Sequence, residues 1–127
     1  MNTPARTFTI ESLSTITLQV ANLKRSLAFY RDGLGLDFAD ASQRSAQALV
    51  GDVCLLLHED FDPTLKDKPR GAGIDLHFSV ADVDACFEAL SKSGLRPENP
   101  PEDHPWGREF AIKDPDGYEI EFIGPSR

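Results

Sequence analysis

Two stretches of the chain carry the same pattern of hydrophobic and polar positions. Each begins with alternating apolar and polar residues, typical of a half-buried strand, and this alternation ends at Val20 and again sixty residues later at Val80. An Asx residue that can cap a helix follows, Asn22 or Asp82. Apolar residues then form the stripe of an amphipathic helix, Leu23, Leu27 and Tyr30 in the first stretch and Val83, Phe87 and Leu90 in the second. The chain is therefore predicted to repeat one strand–helix unit.

Further strands are predicted after each helix, once glycines such as Gly35 and Gly94 have ended it. They are residues 36–39, 46–50 and 53–58 in the first half and, in the second half, a short piece from Arg96, 109–113 and 118–123. The stretch between the halves is polar and rich in Pro and Gly, as in a linker. We therefore predict one domain made of module 8–59 and module 74–124, joined by linker 60–73. A chance likeness between two unrelated strand–helix pieces is the alternative.

Each predicted strand has one polar row and one apolar row, because successive side chains point to opposite faces of a sheet. The apolar rows are expected to pack on the helix stripes. The polar rows are Thr15, Thr17 and Gln19 in the first strand, Asp75, His77 and Ser79 in its counterpart, and Glu119 and Glu121 in the last strand. Such rows line either a concave site or an ordinary water-facing side of a sheet. Periodicity alone leaves both interpretations open.

Length and charge narrow the class of protein. At 127 residues the chain has the length of one domain, and its formal net charge of −8 argues against a nucleic-acid partner, which needs a basic patch. The acidity suits a cationic ligand or a metal ion, although solubility alone also explains it. No apolar run is long enough to span a bilayer, and the first residues lack the apolar core of a signal peptide. We therefore expect a cytoplasmic protein without a membrane partner.

The cysteines and glycines argue against several chemistries. Cys54 lies in the apolar run VCLLL and Cys86 in a predicted helix, without the spacing of a metal or redox site. Both are expected to be reduced core residues, and apolar surroundings make a thiol a poor nucleophile. The chain has no Gly-rich phosphate loop, so no nucleotide cofactor is expected.

Three stretches resemble the vicinal oxygen chelate superfamily, which includes glyoxalase I, extradiol dioxygenases, fosfomycin-resistance enzymes and bleomycin-resistance proteins. They are TLQVANLKRSLAFYRDGLGL at residues 17–36, FSVADVDACFEAL at 78–90 and PWGREFAIKDPDGYEIEF at 105–122. The resemblance implies an α+β fold of two tandem βαβββ modules, which form cupped, incomplete mixed β-barrels with the helices outside. It also implies a homodimer.

The resemblance also implies a position for a metal site. Members of the superfamily take one ligand from the first strand and one from the last strand of each module, mostly His, Gln and Glu. The matching positions here are Thr15, Leu56, Asp75 and Glu121. Thr is a poor ligand and Leu is none, so the usual set is not assembled. Asp75 and Glu121, with His77 two residues along on the same face, can hold a divalent ion weakly with water completing its shell.

Three further residues have both a structural and a functional interpretation. Segment 96–107 is Pro-rich and acidic and is predicted to be a stiff loop, with Trp106 near its end. Trp106 either stacks on a planar ligand or anchors its own loop to the core. Arg108 pairs with a ligand carboxylate or with a loop acid. His77 is either a candidate general base or a histidine of the cavity wall whose hydrogen bonds are purely structural. His104 and His58 are expected to face solvent.

The preferred function is that of a small-molecule-binding protein, similar to the metal-free bleomycin-resistance proteins. Its cleft would take a partly cationic organic ligand without a tightly held metal. The predicted ligand-binding residues are Thr15, Leu56, Asp75, His77, Trp106, Arg108 and Glu121. The alternative is a divalent-metal-dependent lyase, isomerase or dioxygenase that uses Asp75, His77 and Glu121. A regulatory or scaffold dimer with a vestigial cleft is a third possibility.

Overall fold

The computed structural model describes residues 7–60, 70, 71 and 73–127, so most of the predicted linker 60–73 lies outside the described residues. Two four-stranded mixed sheets carry the helices on one side, and neither sheet closes into a barrel. This confirms the predicted α+β fold of two βαβββ modules. In the described part of the chain, no helix is long and apolar enough to cross a membrane.

The first sheet has the strand order β1-β4-β3-β2. Its strands are β1 (Thr15–Val20), β2 (Ala39–Ser42), β3 (Ser45–Val50) and β4 (Val53–Glu59). Helix α1 (Leu23–Leu27) follows β1 and continues as a π-helix (Ala28–Gly33). β1 and β4 run parallel, and the other neighbours run antiparallel.

The second sheet repeats this arrangement in the order β5-β8-β7-β6. Its strands are β5 (Asp75–Ser79), β6 (Glu102–His104), β7 (Gly107–Lys113) and β8 (Glu119–Gly124), with helix α2 (Val83–Lys92) after β5. β5 and β8 run parallel. Because β1 and β5 pair only on one side among the described residues, each has an outer edge without a neighbouring strand.

Both predicted helix caps are confirmed. The Asn22 side chain accepts from the backbone N–H of Arg25 at 3.0 Å, and that of Asp82 accepts from Ala85 at 3.1 Å. Each bond satisfies an N–H that the first helical turn would otherwise leave unpaired. The two modules therefore start their helices with the same local interaction.

The predicted second strand, residues 36–39, is displaced towards the C-terminus. Leu36 is still part of the turn that ends the helix, because its N–H donates a hydrogen bond to the carbonyl of Tyr30 at 3.2 Å. Leu36 and Phe38 pack against the core, which explains their apolar character without a strand. The strand β2 therefore begins only at Ala39.

The prediction that residues 96–107 form only a loop is wrong. Glu102–His104 is a short edge strand, β6, in which Asp103 lies opposite Arg108 of β7. The short extended piece predicted from Arg96 is also wrong as a strand. Instead of forming a strand, it makes an isolated contact with β7, in which the Glu98 N–H donates to the Ala111 carbonyl at 2.9 Å. Strand pairing with β7 is limited to Glu102–His104, because the preceding residues Pro97, Pro100 and Pro101 lack a backbone N–H.

The core joins the apolar rows of both sheets to the helix stripes, as predicted. Its buried members include Leu18, Val20, Tyr30, Leu57, Leu76, Ile112, Ile120 and Phe122. The π-helix turns both Phe29 and Tyr30 inward, where their rings meet edge to face at 4.9 Å. Burying such apolar surface is the main favourable term in folding.

A turn with two buried aspartates bonds the second module to the first. It comprises Asp114, Pro115, Asp116 and Gly117, and both aspartates are only 5% exposed. Tyr30 of the first module donates its hydroxyl to Asp114 Oδ2 at 2.5 Å, and the Ala21 N–H donates to Asp116 Oδ1 at 2.9 Å. Asp116 also accepts from Arg25 at 3.2 Å. These bonds fix the start of β8, and hence its polar row, relative to α1 and β1.

Candidate functional site

The parallel pairing of β5 and β8 brings three predicted site residues together. The register places His77 opposite Glu121 and Asp75 opposite Glu119. His77 Nε2 lies 2.7 Å from Glu121 Oε2, at hydrogen-bonding distance. One side-chain ligand atom from each of Asp75, His77 and Glu121 lies within 4.8 Å of the others. We call these three residues the Asp–His–Glu cluster.

The cluster lies in a strongly acidic environment. Burial, followed by the nearby carboxylates of Glu109, Asp75 and Glu98, raises the pKa of Glu121, while His77 lowers it. Burial and then Glu98 raise the pKa of Glu119. Like charges that face one another disfavour ionisation, so this face gains stability from a bound cation.

A small cavity of about 130 Å³ opens beside Glu121. Its lining residues are Asn99, Pro100, Glu102, His104, Glu109, Phe110, Ala111 and Glu121. Glu109 Oε2 accepts from the Trp106 indole N–H at 3.2 Å, and Glu109 Oε1 lies 3.6 Å from His104 Nε2. The cavity thus combines carboxylates with a histidine and a proline-rich wall.

Sequence reasoning missed Glu109 and His104. The antiparallel register places Ala111 opposite Glu121, so Glu109 shares the polar face of the second sheet. The alternation in REFAIK could have revealed Glu109, because Phe110 and Ile112 are buried on the other face. His104 was predicted to face solvent, but it is half-buried because β6 pairs with β7, a pairing that local sequence did not indicate.

Trp106 lies at the rim, with 64% of its surface exposed. Its ring stacks parallel on His104 with centroids 4.7 Å apart. Because so little of the indole is buried, it does not anchor its loop in the core. Trp106 also borders a shallow groove of about 590 Å³ that includes Pro105, Ile123 and Pro125.

Arg108 is not brought to this face. Its guanidinium donates to the two carboxylate oxygens of Asp84 on α2 at 2.8 and 3.0 Å. Its Nη1 also lies 3.4 Å from Asp103 Oδ1. Arg108 therefore lies on the helix side of the second sheet, where it pairs with Asp84. Glu121 faces the opposite side of that sheet.

The polar row of the first sheet has a different chemistry. Thr15 lies opposite Cys54, Thr17 opposite Leu56, and Gln19 opposite His58. His58 Nδ1 lies 2.9 Å from Gln19 Oε1. The predicted site residues Thr15 and Leu56 are therefore on the first sheet, in a row without carboxylates, while the acidic residues are on the second.

A larger, mainly apolar pocket of about 360 Å³ lies next to the cluster. Both modules line it, through Ile16, Val50, Val53 and Leu55 of the first and Asp75, Leu76, His77 and Phe78 of the second. An apolar pocket with a few convergent polar groups has the usual character of a small-molecule site.

The side chains at this site determine whether a divalent metal ion can be coordinated there. Of the four positions that match the superfamily's metal site, only Asp75 and Glu121 carry a ligand atom that suits a divalent ion. The Asp–His–Glu cluster supplies three donors from one sheet instead. Carboxylate and imidazole donors suit a divalent ion, so the cluster fits one held by fewer protein ligands than the usual set.

Comparison with known proteins agrees with the fold. Residues 12–122 match the sequence profile of the Glyoxalase/Bleomycin resistance protein/Dioxygenase superfamily. Uncharacterized protein YraH of Bacillus subtilis (strain 168) is 30% identical over 121 residues, which are 86% of this chain and 94% of that protein. Metallothiol transferase FosB of Staphylococcus haemolyticus is 39% identical over 79 residues, 59% of this chain and 53% of FosB.

Solved structures share the same architecture. TnmS3, an antibiotic binding protein from Streptomyces sp. CB03234, superposes with a TM-score of 0.78 at 27% identity, over 94% of this chain and 99% of TnmS3. A glyoxalase/bleomycin resistance protein/dioxygenase from Nocardioides gives a TM-score of 0.78 at 22% identity, over 95% of this chain and 87% of its own. The second likeness concerns the fold alone.

Proposed function

Because the chain belongs to the Glyoxalase/Bleomycin resistance protein/Dioxygenase superfamily, we propose that it binds a small, partly cationic organic molecule without a tightly held metal. The observation that carries this proposal is the pair of carboxylates, Glu109 and Glu121, in one cavity beside Asp75. An ammonium or amidinium group there makes charge-assisted hydrogen bonds. It also relieves the repulsion from Glu109 and Asp75, which adds to the effect of burial in raising the pKa of Glu121.

The neighbouring apolar pocket supports an organic rather than an inorganic ligand. Ile16, Leu55, Leu76 and Phe78 offer apolar surface within the same region as Asp75 and His77. A ligand with a hydrophobic body and a cationic end satisfies both surfaces at once. The likeness to TnmS3, an antibiotic binding protein, supports an organic ligand.

The proposal includes a cytoplasmic homodimer. The superfamily resemblance is the basis for two subunits, and the outer edges of β1 and β5 leave room for a neighbour. Cys54 and Cys86 are both free thiols, as is usual in a reducing compartment. Burial raises the pKa of the Cys86 thiol, which supports a structural role for it.

Calorimetric titration of metal-stripped protein with amine-bearing antibiotics and aromatic amines tests the proposal. We expect Glu121→Gln to weaken the best ligand by about 10-fold or more, a loss of about 1.4 kcal/mol per decade. Glu88→Gln, on the exposed side of α2, is the charge-matched control and should bind like the wild type. Wild-type affinity in both Glu121→Gln and Asp75→Asn would remove the acidic face from the site.

The pH dependence of binding gives a second readout. A ligand cation needs Glu121 ionised, so affinity should fall as pH decreases through the raised pKa of this carboxyl. The Glu121→Gln variant should lose that dependence. A profile identical in the two proteins would mean that another group controls binding.

The Asp–His–Glu cluster favours one second candidate, a divalent-metal-dependent lyase, isomerase or dioxygenase. Asp75, His77 and Glu121 would hold the ion, which would supply Lewis-acid activation of substrate oxygens. The relative FosB is a metallothiol transferase by name, which supports metal chemistry within the superfamily. Stoichiometric metal in freshly purified wild type that is lost in Glu121→Ala would favour this candidate over the metal-free one.

A further inference from the structure

Trp106 lies on the tight turn between β6 and β7, and 64% of its surface is exposed. His104 lies opposite Gly107 in the ladder, so Pro105 and Trp106 form the tip of this hairpin. Pro105 fixes one backbone angle of the tip. Gly107 has a φ of +142°, and a Cβ there would lie 2.8 Å from the Gly124 carbonyl oxygen, so this position requires glycine. The backbone that carries the indole is therefore constrained, although the indole itself is not buried.

Two contacts of the indole connect it with Glu109, one directly and one through His104. The indole N–H donates to Glu109 Oε2 at 3.2 Å. The indole ring stacks parallel on the His104 imidazole, with centroids 4.7 Å apart. His104 Nε2 in turn lies 3.6 Å from Glu109 Oε1 and 3.9 Å from Glu102 Oε2. We call Trp106, His104 and Glu109 the hairpin triad.

The hairpin triad holds a carboxylate that its neighbours repel. Glu102 lies directly opposite Glu109 in the β6–β7 ladder, where like charges are unfavourable. Glu109 also shares the small cavity with Glu121, and it adds to the effect of burial in raising the pKa of that carboxyl. A flexible glutamate side chain loses conformational freedom when it is held in one place. The side chain of Glu109 is nevertheless only 17% exposed, so its contacts with Trp106 and His104 offset these costs.

The contacts leave one oxygen of each carboxylate available to a ligand. Trp106 bonds to Glu109 Oε2, and the 3.6 Å between Glu109 Oε1 and His104 Nε2 is longer than a hydrogen bond. His77 Nε2 lies 2.7 Å from Glu121 Oε2, which leaves Oε1 of Glu121. The small cavity therefore presents hydrogen-bond acceptors whose directions are set by neighbouring side chains.

Aromatic faces contribute little to the same cavity. Among the described residues that line it, the rings are those of His104, which is stacked on Trp106, and Phe110, which is 3% exposed. Proteins recognise quaternary ammonium groups with the faces of several aromatic rings. Carboxylate oxygens instead form short charge-assisted hydrogen bonds with N–H donors. The lining thus suits a cation that carries N–H groups.

We propose that Trp106 and His104 are positioning residues that direct the Glu109 carboxylate at the ligand, so that the site selects ammonium or amidinium groups over fully methylated ammonium groups. This inference rests on the proposed function and specifies its ligand class. Trp106 acts through Glu109 in this arrangement and does not need to touch the ligand. A methylated cation keeps the charge attraction but has no N–H to donate to Glu109 and Glu121.

Calorimetric titration of metal-stripped protein with 2-naphthylmethylamine and its N,N,N-trimethyl derivative tests this selectivity. The two probes share a ring system and a positive charge and differ in their N–H donors. We expect wild type to bind the amine at least about 30-fold more tightly than the trimethyl derivative. Trp106→Phe keeps a ring that can stack on His104 and removes the indole N–H. Its ratio should fall below about 10-fold, because the amine binds more weakly while the Kd of the trimethyl derivative changes by less than about threefold.

A second variant acts on the other contact of the hairpin triad. His104→Gln removes the ring beneath the indole and should lower the same ratio of affinities. His58→Gln, in the first sheet, is the matched control and should keep the wild-type ratio. His104 and Trp106 lie outside the buried core, so their variants should keep the wild-type circular dichroism spectrum.

The indole N–H also gives a readout without any ligand. Trp106 is the single tryptophan, so a proton–nitrogen correlation spectrum shows one indole signal. Glu109→Gln replaces the charged acceptor of this N–H by a neutral one, so the indole proton should move upfield. Glu88→Gln, on the exposed side of α2, should leave the signal in place.

Three results would contradict the inference. In Trp106→Phe, an unchanged ratio or an equal loss for both probes would mean that the indole does not act through Glu109. An indole proton that stays in place in Glu109→Gln would exclude the positioning contact itself. Failure of wild type to bind either probe would overturn the selectivity together with the proposed function, and the indole signal would then decide the positioning of Glu109 alone.

Discussion

The phenol of Tyr30 donates to a carboxylate that the fold has removed almost completely from water. Asp114 is 5% exposed, and its Oδ1 accepts from the N–H groups of Asp116 and Tyr118, both at 2.9 Å. Burial raises the pKa of Asp114, while Tyr30 and these N–H groups lower it. Burial and the nearby Asp114 also raise the pKa of Tyr30, so its hydroxyl stays a donor. The contact is therefore strongest when Asp114 is ionised.

Tyr30→Phe should destabilise the fold by about 1.5–3 kcal/mol, the value of a hydrogen bond to a charged group. The Tyr30 bond lowers the pKa of Asp114, so its removal raises that pKa further. The loss is therefore complete above the Asp114 pKa of the variant and shrinks as pH falls through it. Urea unfolding from about pH 7.5 to about pH 4 measures this trend.

Tyr118→Phe is the matched control for that experiment. Its hydroxyl donates to the neutral carbonyl of Gln19 at 3.1 Å, so the stability lost should be smaller, about 0.5–1.5 kcal/mol, and nearly independent of pH. A pH-independent loss in Tyr30→Phe as well would mean that Asp114 is not the charged partner.

Local sequence identified several of these residues but not their partners. The sequence DPDG predicts a tight turn, and the alternation after it predicts that Glu119 and Glu121 share a face. The partner of Asp114 is 84 residues away in the chain, and that of Asp116 on Ala21 is 95 residues away. Only the packing of the two modules creates these bonds, so no local pattern could predict them.

At the scale of elements, strand β7 separates the charges on the helix side of the second sheet from those at the cavity beside Glu121. Arg108 lies on the helix side with Asp84, and Glu109 lies on the other side with the cavity beside Glu121. The pairing with Arg108 lowers the pKa of Asp84, while Arg127 contributes a smaller effect in the same direction. Adjacent residues of one strand therefore have separate roles.

Arg108→Gln should leave ligand affinity within about threefold of wild type, because its side chain does not reach the cavity. Its melting temperature should fall, and the difference should narrow in high salt as the partly exposed ion pair is screened. Glu109→Gln, the neighbouring position, should instead weaken the ligand by about 10-fold. A large loss of affinity in Arg108→Gln would return this residue to the site.

The errors in the predicted elements have a common physical origin. Strand β2 was placed too early because Leu36 and Phe38 are apolar for packing against the core, not for pairing. Strand β6 was missed because its proline-rich surroundings indicate a loop, although three residues still pair with β7. Both edge strands depend on a neighbour more than on their own sequence.

At the scale of the whole molecule, the two modules share a backbone plan and differ in chemistry. The sixty-residue repeat correctly predicted the succession of strand, helix and further strands in each module, and the helix caps, because these follow from periodicity and capping. On its polar face the first sheet carries the neutral residues Thr15, Thr17 and Gln19 beside Leu56. The corresponding face of the second sheet carries four carboxylates, those of Asp75, Glu109, Glu119 and Glu121. Two features hold the modules together, the shared apolar core and the turn around Asp116.

Asp116→Ala should uncouple the two modules. The variant loses the contacts from the Ala21 N–H, Arg25, Ser26 and Arg70 to the Asp116 carboxylate, which lies at the module boundary. Breaking a buried charged network of this kind costs about 3–5 kcal/mol. Trp106, the single tryptophan, reports on the second module through fluorescence, while far-UV circular dichroism reports on both.

In wild type the two signals should follow one urea transition, because modules joined in a single core unfold together. In Asp116→Ala we expect the fluorescence and dichroism curves to separate, since the shared apolar core alone then couples the sheets. Asp40→Ala, an exposed aspartate of β2, should keep them superimposed. Coincident curves in Asp116→Ala, with only a lower midpoint, would show that apolar packing joins the modules and that the turn adds stability without coupling them.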